Sequence, residues 1–516
     1  MKKTYVFFTL LFIACLPLHA QLKQVAEGPV FEEATNGYAK ILLMKNGNTA
    51  YVFLQAKDLI DVRIYDSNRN EKVVASSDIN FERVKISNNT SRFAYLNNYE
   101  EVMGVFEIKN DICLFVHELD RGKSFLYRII IDGNTGKVKE EKAIFDEKWS
   151  AYDVKKDVDN DNYVIKVNNR LYVYDDNHKE ISTAGFKSPE TEADHAYPLY
   201  HDMIVPGKDK VCVFFTATGS KETDRKGNLY MATIENSTGK ISYDKLNLPG
   251  DVIYNNLIVK YDPVSKKIIL LTGITLSTGD YESYVNIIDP VSKKMDKVSG
   301  FGITESLNQS YIEKFDKKKG YAGYPQDIFI NDDESISIIY EEITVQRTST
   351  TGYSRTDTKL GKIVINTINR EGQLLSSYLV PKEHWVIFTE LYITYHYKQE
   401  ANAQIVWRGN QYKPFKYIDG SKGRFIFFND TERNNDVKKD RFAEVQGIAD
   451  CDAFMNKLTG NEIFPQRAYA FGEPDKGHSI ALFAASEYDR KTNTLVTLKL
   501  DDTKKKKVKI VWLQPE

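Results

Sequence analysis

The 516-residue sequence has few cysteines, few histidines and almost no net charge. It contains four cysteines and eight histidines, and its 70 Lys and Arg nearly balance its 72 Asp and Glu, for a formal net charge of −2. So small a charge excludes electrostatic capture of nucleic acid or an anionic membrane as the main activity. The cysteines form no CxxC or Cys/His zinc spacing. Cys113, Cys212 and Cys451 are therefore predicted to be small buried side chains.

The sequence also lacks the common catalytic motifs. It has no GxSxG elbow, no Walker A loop, no HExxH pair and no dinucleotide-binding glycine fingerprint. We therefore predict no cofactor and favour a non-enzymatic protein, while catalysis by paired carboxylates stays open as an alternative.

One long apolar run is present, close to Met1. Lys2 and Lys3 precede an apolar stretch from Tyr5 to Leu18, and Ala20 provides a small residue for cleavage. This order is typical of a signal peptide covering residues 1–20 and predicts a periplasmic or secreted protein. Cys15 as a lipidated first residue is the alternative, disfavoured by its poor lipobox. No second apolar run approaches the length of a spanning helix, so we predict no transmembrane segment.

A strand-like pattern recurs along the rest of the chain. Four mostly apolar residues end in a bulky one and are followed by polar or small residues, and many copies lead into hairpins with Asp-, Asn- and Gly-rich turns. Continuous apolar character indicates burial on both faces. The bulky positions predicted to be equivalent are Phe53, Val116, Phe215, Leu271, Tyr340, Phe428 and Phe483, and a weaker copy begins at Tyr163.

One inner strand followed by a hairpin, repeated with short connections, describes a propeller blade. We predict an all-β fold in which residues 21–516 form a single β-propeller of eight blades, with seven as the close alternative. Two all-β domains in tandem remain a further possibility. Residues 441–457 have a weakly helical texture and are predicted to be an insertion.

At this level the chain resembles a family of exported bacterial propeller-like proteins of unknown function. The resemblance rests on His19-Ala20-Gln21, on the Asp/Asn-Gly-Lys hairpin turns, and on Phe427 to Asp430 followed by Asn434-Asn435. It implies a fold and a compartment, and it assigns no catalytic residue.

Polar residues near the predicted strand ends are the candidate binding site. Asp194 to Asp202 is the densest cluster of His, Tyr and Asp, and Tyr is common on recognition surfaces. We predict that a loop-rich face binds a protein, peptide or glycan partner. A glycan hydrolase or lyase and a structural envelope protein are the alternatives. The candidate binding residues are His195, Tyr197, Tyr200, His201, Glu341, Glu342, Tyr353, Asn429 and Asp430.

A weak metal candidate is the loop that contains Asp157, Asp159 and Asp161. Its acidic residues have the 1-3-5 spacing of a calcium loop, but position twelve is Asn168, where a bidentate Glu is usual. A polar turn before the strand that begins at Tyr163 is the favoured interpretation.

Overall fold

The computed structural model consists almost entirely of antiparallel strands, as the sequence predicted. It describes residues 22–33, 35–55, 59–79, 98–120, 123–157, 159–190, 198–218, 226–250, 252–276, 281–298, 302–350, 353–391, 393–400, 403–406, 409–434, 442–474, 477–502 and 506–516. The predicted signal peptide lies outside these ranges.

The first half of the chain contains strands β1 to β18. They are β1 (Leu22–Glu27), β2 (Phe31–Glu32), β3 (Gly37–Leu43), β4 (Thr49–Gln55), β5 (Leu59–Tyr65), β6 (Glu71–Asp78), β7 (Asn98–Ile108), β8 (Asp111–Asp120), β9 (Lys123–Asp132), β10 (Val138–Lys148), β11 (Tyr152–Lys156), β12 (Tyr163–Val167), β13 (Arg170–Tyr174), β14 (Glu180–Gly185), β15 (Pro198–Ile204), β16 (Lys210–Thr218), β17 (Lys226–Glu235) and β18 (Ile241–Lys245).

The second half adds two α-helices and the remaining strands. They are β19 (Val252–Asp262), β20 (Lys267–Thr275), β21 (Tyr281–Ile288), β22 (Met295–Val298), α1 (Glu305–Phe315), β23 (Tyr324–Ile330), β24 (Ile336–Thr350), β25 (Tyr353–Ile368), β26 (Leu374–Val380), β27 (His384–Val386), α2 (Tyr395–Glu400), β28 (Gln404–Val406), β29 (Lys416–Gly420), β30 (Gly423–Asp430), β31 (Asp452–Leu458), β32 (Arg467–Tyr469), β33 (Ile480–Ala481), β34 (Glu487–Asp489), β35 (Thr494–Asp502) and β36 (Lys507–Pro515).

Within the described ranges the strands form seven sheets, which we number I to VII. Sheet I contains β3–β6 and β28, sheet II β7–β10, sheet III β11–β14, sheet IV β15–β22, sheet V β23–β27, sheet VI β29–β32, and sheet VII β1, β2 and β33–β36. Sheet IV consists of two four-stranded units, β15–β18 and β19–β22, joined by a short pairing of β17 with β19.

Apolar side chains fill the spaces between successive sheets. Separate buried clusters lie between sheets I and II, II and III, III and the first unit of IV, the two units of IV, the second unit of IV and V, V and VI, VI and VII, and VII and I. Each four-stranded unit therefore packs against a unit on either side, which explains why its middle strands are apolar along their whole length.

The repeated pattern occupies the second strand of a sheet, not the innermost strand as predicted. First strands lie innermost, since β3 contacts β7, β7 contacts β11, β15 contacts β19 and β19 contacts β23. The predicted positions on second strands that pack towards the preceding unit are Phe53, Val116, Phe215, Tyr340 and Phe428.

Two predicted positions depart from this arrangement. Leu271 packs in the opposite direction, towards sheet V, while Ile274, which pairs with Tyr254, packs towards the preceding unit. Phe483 does pack against sheet VI, but it lies in a single 3₁₀ turn after the two-residue strand β33.

The predicted hairpin turns are confirmed, and their geometry follows from their Asp and Gly residues. In the turn between β9 and β10, the Asp132 carboxylate accepts hydrogen bonds from the backbone N–H groups of Asn134 and Thr135 at 2.8 and 2.9 Å. Gly136 then adopts a left-handed φ of 66°, which glycine tolerates without a Cβ clash.

The region predicted as a weakly helical insertion is extended. Its second part is strand β31, the third strand of sheet VI, and its first described residues include Val445, which forms a parallel bridge with His384. Nearly every side chain of β31 is buried between sheets V and VII, so tertiary packing overrides local helical preference.

Helix α1 was not predicted. The Thr304 side chain caps its first turn by accepting a hydrogen bond from the Leu307 N–H at 3.2 Å, and Leu307, Tyr311 and Phe315 bury one face between sheets IV and V. No helix within the described ranges is long and apolar enough to cross a membrane.

Candidate functional site

The chain between sheets V and VI passes through a buried polar region. We call the described residues from Lys382 to Glu400 the central segment; it contains β27 and α2. In α2, Tyr395, His396 and Tyr397 are buried, whereas Lys398 is exposed. Each buried side chain has polar partners outside the central segment, and one of these partners is the predicted site residue Glu341.

Glu341 of β24 binds two groups of the central segment. The Tyr395 hydroxyl donates to Glu341 Oε2 at 2.6 Å, and the Lys382 ammonium donates to Oε1 at 2.5 Å. Neither Glu341 nor Lys382 is solvent-exposed. Burial raises the pKa of Tyr395 well above its usual value, so the hydroxyl keeps its proton and remains a donor. Glu341 is thus an internal anchor and does not face solvent.

His396 joins the central segment to sheets V and VI. Its Nδ1 lies 3.2 Å from an Asp327 carboxylate oxygen, and its Nε2 lies 3.2 Å from the Phe415 carbonyl oxygen. The imidazole also stacks on the Phe415 ring, with centroids 4.3 Å apart and planes 7° from parallel. Because both ring nitrogens and one ring face have partners, the orientation of His396 is fixed.

Tyr397 joins the central segment to sheets III and IV. Its hydroxyl donates to the Val259 carbonyl at 2.9 Å, and the ammonium groups of Lys155 and Lys260 lie 5.6 and 5.3 Å from its ring centroid. Lys155 also pairs with the buried Asp202 at 3.1 Å. Burial alone would raise the pKa of Asp202, but neighbouring lysines, Lys155 first, hold it below its usual value.

Tyr200 and His201, two predicted binding residues, form part of the same buried region. The Tyr200 hydroxyl donates to Asp153, and the Lys166 ammonium lies 4.2 Å from the Tyr200 ring centroid. Burial lowers the pKa of Lys166 to about 8 and that of His201 to about 4. His201 Nε2 lies 2.6 Å from the Thr216 hydroxyl oxygen. Both residues are therefore held by protein partners and do not form an exposed rim.

Four of the first strands carry a β-bulge. Register shifts mark an extra residue in each of them: Met103 in β7, His201 in β15, Asn255 in β19 and Gln326 in β23. The Gln326 side chain donates to the Ile393 carbonyl at 2.5 Å, just before α2. Bulges redirect side chains near functional sites. No pattern in the sequence identifies these bulges.

Asn429 and Asp430 are buried at the end of β30. The Asn429 side chain donates to the carbonyls of Tyr412 and Ala481 at 2.8 and 2.7 Å and accepts from the Ala481 N–H at 2.9 Å. Asp430 pairs with Arg467 at 3.1 Å. Burial opposes ionisation of Asp430, but Arg467 outweighs it and the pKa lies below its usual value. Asn429 therefore links sheets VI and VII, whereas Asp430 links β30 to β32 and lies 3.7 Å from the His384 imidazole of the central segment.

The adjacent acids Glu341 and Glu342 bind different elements. Glu342 accepts hydrogen bonds from the Tyr311 hydroxyl of α1 and from the Lys362 N–H, the latter at 3.1 Å. Glu341 instead binds the central segment. The two carboxylates therefore serve separate structural contacts.

The acidic loop before β12 contacts lysines and its own backbone. Asp157 accepts hydrogen bonds from the N–H groups of Asp159 and Asn160, and Asp161 lies 2.6 Å from the Lys45 ammonium and 3.1 Å from that of Lys156. Among the residues that the structure describes, no three His, Cys, Asp or Glu side chains are arranged to hold a metal ion. The polar-turn interpretation of the sequence agrees with this geometry.

A long hairpin projects from sheet V beside the central segment. Strands β24 and β25 are 15 and 16 residues long, but β23 pairs only with residues 336–341 of β24. We call residues 343–350 and 353–357 the arm. Side chains from 344 to 349 are exposed, and the Arg347 guanidinium pairs with Glu390 of the central segment at 2.6 Å.

A cleft of about 500 Å³ lies at the base of the arm. Its walls are mainly apolar, and only Glu390 adds a charge. The residues that line it are Tyr324, Ile343, Val345, Glu390, Leu391 and Ile393. Tyr353 at the tip of the arm was a predicted binding residue, but the sequence did not reveal the cleft, because Leu391 and Ile393 are distant in sequence from Ile343.

The predicted site residues are thus only partly brought together. Glu341 and Asp430 both contact the central segment, Asp430 through the His384 imidazole at 3.7 Å. Asn429 instead binds Ala481 of sheet VII, and Tyr200 and His201 bind residues of sheets III and IV. His195, Tyr197 and the side chain of Tyr353 lie outside the described part of the chain. Cys113, Cys212 and Cys451 are buried free thiols, as predicted.

Comparisons with known proteins give structural similarity at low sequence identity. No family model and no curated protein matches the chain. The WD40 domain of SCAP from fission yeast is similar over 94% of this chain and 97% of its own, with 10% identity and a TM-score of 0.38. A protein from Lactobacillus plantarum is similar over 86% of this chain and 98% of its own, with 10% identity and a TM-score of 0.34.

Dipeptidyl peptidase 4 from Porphyromonas gingivalis is a third similar structure. It is 8% identical over 92% of this chain, with a TM-score of 0.41, and this chain spans 59% of its length. At these values the comparisons assign no activity to the chain.

Proposed function

We propose that the protein is an exported, non-enzymatic β-propeller of eight blades that binds a protein, peptide or glycan partner through the face bearing the arm. Eight four-stranded units, each packed against the next by an apolar cluster, support the blade number, with sheet IV contributing two units. The cluster between sheets VII and I supports a closed ring.

The observation that carries the binding role is the arm with its cleft. Since neighbouring strands are antiparallel, each first strand starts at the same end of its sheet as that at which the second strand finishes. The arm extends β24 beyond this end of sheet V. The connection before β11 lies at the corresponding end of sheet III. In that connection Trp149 is 75% exposed and has a left-handed φ of 51°. Exposed aromatic residues are typical of recognition surfaces.

The binding role is tested by shortening the arm. A variant in which residues 346–357 are replaced by a two-residue Asn-Gly turn keeps Val345 paired with Thr358 and should fold like the wild type. It should lose partners that the wild type captures from an envelope extract. A glycan array, with Trp149→Ala as the comparison, tests the same face for sugars. If the wild type and both variants capture the same partners and glycans, the binding surface is not the face that bears the arm.

Export to the periplasm or the medium is proposed on the basis of Lys2-Lys3 and the apolar run from Tyr5 to Leu18. Cleavage after Ala20 would leave Leu22, the first residue of β1, directly available to pair with Pro515. N-terminal sequencing of the exported protein should begin at Gln21. A diacylglycerol group on Cys15 would instead identify a lipoprotein.

A further inference from the structure

The arm has a free strand edge. On one side β24 pairs with β25 as far as Thr350, whereas on the other side its pairing with β23 ends at Glu341. Within the described ranges no strand pairs with residues 343–350 along that second edge. Before Tyr324 the chain turns away, and the Tyr321 hydroxyl donates to the Lys362 carbonyl at 3.0 Å. The position next to the arm, in line with β23, is therefore open.

The sequence of this edge does not protect it. Exposed edges are usually blocked by proline, lysine or an inward-facing charge. Residues 343–350 read Ile-Thr-Val-Gln-Arg-Thr-Ser-Thr, which contains no proline or lysine and five residues with β-branched side chains. Its only charge, Arg347, is already paired with Glu390. This composition keeps the edge straight and able to pair with another strand.

The cleft lies where this free edge begins. Tyr324 ends the pairing of β23 with β24, while Ile343 and Val345 are the first arm residues on the cleft side. Because side chains alternate along a strand, a strand added to this edge would present every second residue to the cleft. An aliphatic or aromatic residue at one of those positions would be buried against Leu391 and Ile393.

We infer that the arm binds an extended peptide segment of a partner protein as an additional antiparallel strand in line with β23, with one apolar side chain in the cleft. Main-chain hydrogen bonds to β24 hold the peptide, and the cleft selects the side chain. This inference rests on the proposed binding function and specifies the partner as a peptide, not a glycan.

A second copy of this chain is a poorer occupant. If two β24 edges paired around a twofold axis, each cleft would receive a side chain from the partner's arm. Ile343 and Val345 already line the cleft of their own arm. The next arm residue on the face that bears the cleft is Arg347, which is charged and paired with Glu390. Such a pairing would leave the apolar cleft without an apolar side chain.

The inference is tested with phage-displayed random 12-residue peptides selected on the full-length mature protein and counter-selected on the arm-shortened variant. One selected peptide is synthesised and its affinity is measured by calorimetry. The peptides should share an aliphatic or aromatic position, and Val345→Lys should weaken binding at least tenfold. N-methylation of the peptide backbone should weaken binding only at alternate positions, since every second N–H of an edge-paired strand faces its neighbour.

Val291→Lys is the matched control, because Val291 is 77% exposed in a turn of sheet IV and should tolerate the change without loss of binding. Melting curves of both variants show whether they fold. Failure to select any arm-dependent peptide, or equal weakening by N-methylation at every position, would overturn the inference. Dimerisation of the wild type that Val345→Lys abolishes would also overturn it, by identifying a second copy as the occupant.

These outcomes separate the inference from the proposed function. If the arm-shortened variant loses captured partners while no linear peptide binds, the arm recognises a folded surface or a glycan, and only the peptide inference fails. If that variant retains every partner, the proposed binding face itself is wrong.

Discussion

The second strands of the sheets and the central segment are both buried, but by different chemistry. Second strands such as β16 and β30 present apolar side chains to neighbouring sheets on both faces. The central segment instead has a tyrosine, a histidine or a lysine at its main contacts, each bound to a specific carboxylate or carbonyl. The first region is held by burial of apolar surface and the second by paired polar groups.

The difference determines how each region responds to substitution. Apolar burial is non-directional, so a cluster between sheets tolerates residues of similar volume. A buried polar pair has a geometric requirement, and loss of one partner leaves the other desolvated. We therefore expect losses of stability that scale with the deleted volume in the second strands, and losses that a second substitution can rescue in the central segment.

The largest expected effect is in a second strand. Phe428 is fully buried between sheets V and VI, and Phe428→Ala should lower the free energy of unfolding by about 3–5 kcal/mol through lost burial and a residual cavity. Denaturant unfolding measures this loss. Phe388→Ala is the control: Phe388 is 39% exposed, and its loss should cost clearly less. Equal losses would mean that Phe428 does not fill the space between these sheets.

Removing one partner of the buried ion pair tests the central segment. Lys382→Met leaves the Glu341 carboxylate buried without its ammonium partner and should lower the free energy of unfolding by about 3 kcal/mol. The double variant Lys382→Met/Glu341→Gln removes the uncompensated charge and should recover part of that loss. A double variant less stable than Lys382→Met would contradict the view that the pair acts as a unit.

A smaller effect is expected from pH. Burial, with Lys382 second, lowers the pKa of His384 to about 4, although Asp430 opposes the shift. As the pH falls below 6.5, the unfolded chain takes up a proton on His384, but the folded protein keeps His384 neutral. The contribution of His384 to the free energy of unfolding is therefore fully present above pH 6.5 and is lost as the pH drops towards 4. Between pH 7 and pH 5 the wild type should lose about 2 kcal/mol more than His384→Gln. Identical losses would show that His384 is charged in the folded protein.

The sequence predicted the repeated part of the fold because that part depends on local patterns. Apolar runs, Asp and Gly turns and short spacings are visible residue by residue, so strands such as β8 and β30 and their hairpins were located. Which strand of a sheet each run forms depends on packing against neighbouring sheets. The runs were therefore assigned to innermost strands, although they form second strands.

The central segment could not be predicted, since its contacts join residues that are far apart in sequence. Tyr397 meets Val259 and Gln326 meets Ile393 only after the sheets have assembled. Tyr200 and His201 were selected for their chemical character, but no local pattern indicated that they would be half-buried and bound to protein partners. Long-range polar pairing of this kind has no local periodicity to detect.

Strand β1 pairs with β36 from Leu22↔Pro515 to Glu27↔Val511, so the earliest described strand is completed by the last. During synthesis, or passage through a membrane from the N-terminus onwards, β1 has no partner until the whole chain has followed. Such a distant pairing raises the contact order and makes completion of sheet VII a late step in folding. Until then β1 and the exposed side of sheet I are vulnerable to aggregation and proteolysis.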